Sequence, residues 1–147
     1  MGFLIADCGF SEFYFHFKYY QMTKDELKNR TKKFALQVIK LVDELPNTIA
    51  GRTIGNQIIR SGTSVASNYR SARRARSNAD FISKITLVEE ESDETLFWLE
   101  IIIESNLLPK ARVLALVKEA DELTAIFTAS GKTAKQNNPQ SKIRNSN

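Results

Sequence analysis

The sequence has few of the residues on which many helical-bundle enzymes depend. It contains one cysteine, Cys8, and one histidine, His16, in 147 residues. A single cysteine excludes an internal disulfide and fits a reducing compartment, so we expect a cytoplasmic protein. Ferritin-like di-iron sites need paired Glu-x-x-His motifs, and zinc sites need several Cys or His ligands. We therefore predict no metal and no cofactor.

Glycine and proline are also scarce, with six and three copies. No apolar run is long enough to cross a bilayer. The abundance of Leu, Ile, Glu, Lys, Arg and Ala favours an all-helical protein. No glycine-rich phosphate loop is present. Ser61, Ser64 and Ser67 lack a basic partner that could activate them, so we interpret them as packing residues and predict no enzyme.

Two amphipathic helices are predicted in the first half of the chain. The first begins at Thr23 with the capping box T-K-D-E and ends before Pro46. Its apolar stripe is Leu27, Thr31, Phe34, Val38, Leu41 and Leu45. The second begins at residues 48–52 and ends at residues 71–77. It carries Ile54, Ile58, Val65 and Tyr69, and its small residues indicate close packing against a neighbour.

Two further helices follow. The third begins at Ser77, where S-N-A-D resembles a capping box, and ends near Asn106. Its inner stripe is Phe81, Ile85, Val88, Ser92, Thr95, Leu99 and Ile102. The fourth begins at Pro109 and stops at Gly131. Its core face is Val113, Leu116, Val117, Ala120, Leu123, Ile126 and Phe127. The fold class is therefore all-α, an up-and-down antiparallel four-helix bundle over residues 22–130.

The two ends of the chain differ from the bundle in composition. Residues 1–21 hold eight of the fourteen aromatic residues, without helical spacing. We interpret them as an extension outside the domain, with the true start at Met22; the alternative is an aromatic arm that packs on the bundle or on a partner. Residues 131–147 have the polar composition of a disordered tail. This tail is basic and carries Lys132, Lys135, Lys142 and Arg144.

Charge is divided sharply between neighbouring segments. Residues 58–76 hold five arginines and no acid, whereas residues 88–100 hold six acids and no base. Arginine suits phosphate because its planar guanidinium donates hydrogen bonds in pairs. The candidate nucleic-acid-binding residues are therefore Arg60, Arg70, Arg73, Arg74 and Arg76. The acids of residues 89–94 are interpreted as a charged face or as salt-bridge partners rather than as cation ligands.

The segment LFWLEIII, residues 96–103, places apolar residues on every side of a helix. A surface helix of a monomeric bundle keeps a polar face, so one side is expected to meet another chain. The candidate interface residues are Phe97, Trp98 and Ile101. The alternative is that the aromatic segment before Met22 covers them.

The stretch QIIRSGTSVASNYRSARRARSNADF, followed by VEEESDETLFWLE, resembles the bacterial four-helix bundle family of 23S rRNA-intervening sequence proteins. More distantly, it is similar to the accessory protein of diversity-generating retroelements. The resemblance spans about residues 24–128. It implies a four-helix bundle assembled into ring-shaped homopentamers, and its retroelement branch implies nucleic-acid binding.

Two functional interpretations remain open. In the first, the arginines bind the phosphate backbone of RNA or DNA without sequence readout, and repetition around the oligomer compensates for weak single sites. In the second, the protein is an assembly or adaptor module, and the arginines pair with the acids of residues 89–94 in the same or an adjacent subunit. Neither interpretation involves a membrane or a small-molecule substrate.

Overall fold

Four helices make up residues 22–138, the part of the chain that the computed structural model describes. α1 is Lys24–Val42, α2 is Ile49–Ala72, α3 is Asn78–Glu104 and α4 is Lys110–Gln136. Helices consecutive in the chain pack against each other and α4 also contacts α1, which confirms the all-α four-helix bundle. The extension at residues 1–21 and the last part of the tail, residues 139–147, lie outside the described residues.

Hydrogen bonds between α3 and α4 show that these helices run in opposite directions. The Asn78 side-chain amide donates to the Ala134 carbonyl at 2.9 Å. Farther along, the Thr128 hydroxyl donates to the Glu89 carboxylate at 2.6 Å. The residue number rises on α3 as it falls on α4, which defines an antiparallel pair.

Side-chain caps begin the first three helices at Thr23, Thr48 and Ser77, and the sequence predicted the first and the third of them. Thr23 Oγ1 accepts from the Glu26 amide at 3.1 Å, and the Glu26 carboxylate accepts from the Thr23 amide at 2.6 Å. This reciprocal pair confirms the capping box. Ser77 Oγ accepts from the Asp80 amide at 3.0 Å at the start of α3. Each of these hydroxyls satisfies one free amide in the first turn of its helix.

The predicted apolar stripes form the core. Most of their members are buried, including Phe34 on α1, Ile58 on α2, Leu99 on α3 and Phe127 on α4. Four predicted core residues are only half-buried and pack against the edge of the core: Leu45, Ile54, Phe81 and Val117.

Small residues on α2 bring it close to its neighbours, as predicted. A Cβ atom added to Gly62 would lie 2.8 Å from Val38 Cγ1 on α1. On another side, buried Ser61 Oγ accepts from Thr95 Oγ1 of α3 at 2.9 Å. Ser67 is exposed, so it does not share this packing role.

The end of α4 differs from the sequence prediction. The helix was expected to stop at Gly131, but it continues to Gln136. Gly131 and Ala134 are buried on α4, and Asn78 of α3 binds the Ala134 carbonyl. A glycine weakens a helix by only about 1 kcal/mol, which packing against α3 offsets. Residues 131–136 therefore belong to the bundle rather than to a disordered tail.

Candidate nucleic-acid interface

The beginning of α1 meets the end of α2 at one end of the bundle. Arg73 Nη1 donates to Asp25 Oδ1 at 2.8 Å, and Lys28 Nζ lies 3.7 Å from the same oxygen. The hydrogen bond from Arg73 lowers the pKa of Asp25, so this carboxylate stays charged. Residues that are far apart in the sequence thus become neighbours.

A cleft of about 260 Å³ opens at this junction, and charged side chains surround it. We name it the basic cleft and define it by its lining residues, which are Asp25, Lys28, Arg70, Arg73 and Arg74. Four cationic side chains therefore converge around a single carboxylate. The positive charge exceeds what Asp25 can neutralise, so the basic cleft suits an anion.

Arg70 and Arg74 are the two arginines of the basic cleft whose side chains have no partner among residues 22–138. Both side chains are exposed. Neither guanidinium group forms a hydrogen bond or ion pair with any residue between 22 and 138. Their guanidinium groups can therefore take an external phosphate without first giving up a contact to a described residue.

Arg60 lies elsewhere, about 15 Å from Arg70 along α2 at 1.5 Å per residue. Its Nη1 lies 3.2 Å from Glu91 Oε2, and its Nη2 donates to Glu94 Oε1. The hydrogen bond to Glu94 raises the pKa of Arg60. The structure thus separates Arg60 from the other four candidate arginines and engages it with α3.

Arg76 lies in the connection between α2 and α3 and does not line the basic cleft. Its backbone amide donates to Asp80 Oδ2 at 2.9 Å, and Lys84 Nζ also lies 2.9 Å from that oxygen. These two hydrogen bonds, with the one from Arg76 the larger cause, lower the pKa of Asp80. The Arg76 side chain itself is exposed.

The acids of residues 89–94 lie along α3 away from the basic cleft. Glu91 and Glu94 contact Arg60, and Glu89 accepts from Thr128 of α4. The antiparallel course of α2 and α3 places this acidic segment opposite the middle of α2, not opposite its arginine-rich end. Within the described chain, the acids of residues 89–94 therefore pair with Arg60 but with no other arginine of residues 58–76.

The candidate interface residues on α3 differ in exposure. Phe97 is 49% exposed, whereas Trp98 and Ile101 are half-buried. The Phe97 and Trp98 rings meet edge to face, with centroids 4.9 Å apart, and Trp98 also packs on the core of its own bundle. Its indole Nε1 donates to Glu94 Oε1 at 3.2 Å. Phe97 is thus the residue of this group that projects most into solvent.

Sequence reasoning missed several residues of these surfaces. Asp25 and Lys28 had no assigned role, because nothing in the linear order places them beside Arg74. Leu36 on α1 and Leu87 on α3 are 51% and 46% exposed, which adds apolar surface beyond residues 96–103. The sequence could have indicated this exposure, because both leucines lie off the predicted apolar stripes of their helices.

The acidic clusters do not assemble into a metal centre. Among residues 22–138, no group of three or more His, Cys, Asp or Glu side chains is arranged to hold a metal ion. In the same part of the chain, no helix combines the length and the apolar character needed to cross a membrane.

Four antiparallel helices with a basic cleft at one end define a small four-helix bundle protein. The model of the 23S rRNA-intervening sequence protein family matches residues 23–129. The chain belongs to this family, which confirms the resemblance seen in the sequence.

A solved structure supports the same assignment. It is the crystal structure of a protein of unknown function from the S23 ribosomal protein family of Bacteroides thetaiotaomicron. It is 30% identical to this chain with a TM-score of 0.69, and the match covers 76% of this chain and 99% of that one. A comparison with curated proteins gives no match.

Proposed function

We propose that this protein is a non-enzymatic bundle that binds the phosphate backbone of RNA or DNA at the basic cleft. The observation that supports this most directly is the convergence of Lys28, Arg70, Arg73 and Arg74 around one carboxylate. Arg70 and Arg74 supply planar forks that match phosphate oxygens in pairs. The hydrogen bond from Arg73 to Asp25 holds the Arg73 guanidinium in place.

Binding of this kind positions a backbone without reading bases. Among residues 22–138, no Asn or Gln side chain lines the basic cleft, so phosphate contacts dominate. We therefore propose sequence-tolerant binding. Arg60 contributes little, because phosphate would have to displace Glu91 and Glu94 from it.

We further propose that the protein is a homo-oligomer, with a pentamer as the assembly that the family resemblance implies. Exposed Phe97 and Leu87 on α3 support a contact between copies. Repetition of the basic cleft around the assembly would raise the overall affinity of a weak single site, because further binding events become intramolecular.

A second function, an assembly or adaptor module, has its own support. Arg60 contacts Glu91 and Glu94 across the α2–α3 seam, so at least one arginine of residues 58–76 stabilises the bundle. In this alternative Arg70, Arg74 and Arg76 pair with the acids of residues 89–94 in an adjacent subunit, and Arg73 stays with Asp25.

One set of variants separates the two functions. Replacing both Arg70 and Arg74 with Ala removes two cations and breaks no ion pair within residues 22–138. The phosphate-binding proposal expects weaker binding of a mixed-sequence RNA 20-mer, a shallower salt dependence and an unchanged oligomer mass. Each lost phosphate contact reduces the slope of log affinity against log salt by about 0.7 for a single strand.

Two control variants complete the experiment. Arg60→Ala removes one positive charge outside the basic cleft, so it should leave RNA affinity nearly unchanged while lowering the melting temperature. Deletion of residues 139–147 removes Lys142 and Arg144 without cutting α4. The adaptor function expects no salt-sensitive binding by the parent protein and a smaller assembly in the Arg70/Arg74 double variant. Loss of binding only on tail deletion would contradict the basic cleft as the site.

A further inference from the structure

A second cleft lies directly beside the basic cleft, and its floor is apolar. Its volume is about 420 Å³, within the roughly 300–1,000 Å³ typical of small-molecule sites. All four helices contribute to the floor, through Leu27, Tyr69, Phe81, Ile85 and Ile126. We name it the apolar cleft. Phe81 is half-buried there, so part of its side chain remains accessible.

Arg73 lines both clefts and marks the border between them. Its guanidinium is fixed by the 2.8 Å hydrogen bond to Asp25. Lys24 adds a further cation to the lining of the apolar cleft. A ligand that fills both clefts carries an apolar group joined to an anionic group, and a nucleotide, with its base and its phosphate, has that chemistry.

We infer that the apolar cleft binds one unpaired base of a single-stranded nucleic acid whose phosphates lie in the basic cleft. This inference rests on the proposed phosphate-binding function. A base within a duplex would first have to leave its stack to enter the cleft. The preferred substrate class is therefore a single strand, a bulge or a frayed end rather than a continuous duplex.

The polar groups of the apolar cleft favour tolerance of any base. They include the hydroxyls of Thr23, Ser77 and Ser130, which already take part in local hydrogen bonds. A hydroxyl can both donate and accept, so it does not distinguish strongly between base edges. Within the described part of the chain, no side-chain amide or carboxylate lines this cleft. Contact with an aromatic side chain is available to every base.

Charge complementarity favours a nucleotide over other occupants. The aromatic segment before Met22, or a second copy of the chain through an apolar patch, could fill the apolar cleft alone. Neither would supply phosphates to Arg70 and Arg74, which have no partner within residues 22–138. Of these occupants, a strand is the one that brings phosphates together with an apolar group.

The test compares three probes on the full chain: an RNA 12-mer, the same 12-mer made entirely of abasic nucleotides, and the duplex form. All three present phosphates, but only the first offers unpaired bases. We expect the single strand to bind about tenfold more tightly than the abasic strand, a ratio consistent with one stacked base. Equal affinity for all three probes would overturn the inference.

A matched pair of variants locates the base. Phe81→Leu should lower the affinity for the 12-mer several-fold and leave the abasic affinity unchanged. Ile49→Ala, which shortens a 79% exposed apolar side chain outside both clefts, should change neither. Melting curves check folding, and the abasic probe provides an internal control because it still requires an intact basic cleft.

The two proposals fail in different ways. If Phe81→Leu has no effect while the Arg70/Arg74 double variant still loses salt-dependent binding, the base site is wrong and the phosphate site stands. If the double variant binds all probes like the parent, the phosphate site is wrong. A gain in 12-mer affinity on deleting residues 1–21 would show that this segment occupies the apolar cleft. A smaller assembly with Phe81→Leu would show that a second copy occupies it. Either result overturns the inference.

Discussion

The guanidinium of Arg60 on α2 donates a hydrogen bond to the carboxylate of Glu94 on α3. Glu94 also accepts from the indole of Trp98 at 3.2 Å, so one carboxylate joins a cation and an aromatic side chain. The hydrogen bond from Arg60 is the main cause that lowers the pKa of Glu94, and the bond from Trp98 adds to it. We therefore expect the stability of the contact between α2 and α3 to depend on pH.

Removing the Glu94 charge should lower stability at neutral pH and matter less in acid. Its pKa in the folded protein lies below the ordinary 4.5, so its contribution is present above that value and is lost as pH falls through the folded pKa. We expect Glu94→Gln to cost about 1 kcal/mol or less at pH 7, because the pair is partly exposed. Thermal melts from pH 7 to pH 3 should show the difference from the parent shrinking. Glu100→Gln, on the exposed side of α3, is the control; a deficit of Glu94→Gln that stays constant with pH would contradict the assignment.

Phe97→Lys should reduce the oligomer mass. A lysine at this position would place a charge in the contact proposed between copies, whereas in a separated subunit it stays solvated. Ile49, which is 79% exposed at the start of α2, provides the matched control as Ile49→Lys. Light scattering on a sizing column measures both. Identical masses for the two variants and the parent would remove Phe97 from the interface.

Trp98 is a poorer test of the same contact. It is half-buried and packs on the core of its own bundle, so Trp98→Glu would destabilise the subunit as well as any assembly. A loss of mass with this variant would need to be accompanied by an unchanged melting temperature before it could be assigned to the interface.

Two glycines should respond in opposite directions to alanine. Gly62→Ala would bring a Cβ to 2.8 Å from Val38 Cγ1, and we expect a loss of about 1–3 kcal/mol from overpacking. Gly131→Ala would place its Cβ 3.6 Å from Ile85 Cγ2, an ordinary contact. Its helical position should then gain about 0.5–1 kcal/mol. Urea unfolding of the two variants measures both effects, and a loss at Gly131 would show that α3 packs more tightly there.

A chain that begins at Met22 should fold with an unchanged melting temperature and oligomer mass. The cap of α1 is complete without earlier residues, because Thr23 and Glu26 satisfy each other's amides. Replacing Thr23 with Ala in both the full and the shortened chain tests this reason. It should lower stability by about 1 kcal/mol in each. A lower melt or altered mass on shortening alone would identify residues 1–21 as a structural arm.

The sequence by itself determined the helices, their first residues and nearly all of the core. Capping boxes and apolar stripes act over three or four residues, so Thr23, Ser77 and the stripe through Phe34 and Leu99 can be read locally. Gly131 shows the limit of that reading. Its low helix propensity is local, but the contact of Ala134 with Asn78 that keeps α4 helical is not.

Only the tertiary structure decided which charges meet. Asp25 and Arg73 are 48 residues apart, and Arg60 and Glu94 are 34 apart, so both pairs depend on how antiparallel helices align. That alignment adds Lys28 to the basic cleft and takes Arg60 away from it. It also joins residues of all four helices into the apolar cleft. A linear pattern carries periodicity within one helix, whereas the register between helices is set by how their buried faces pack together.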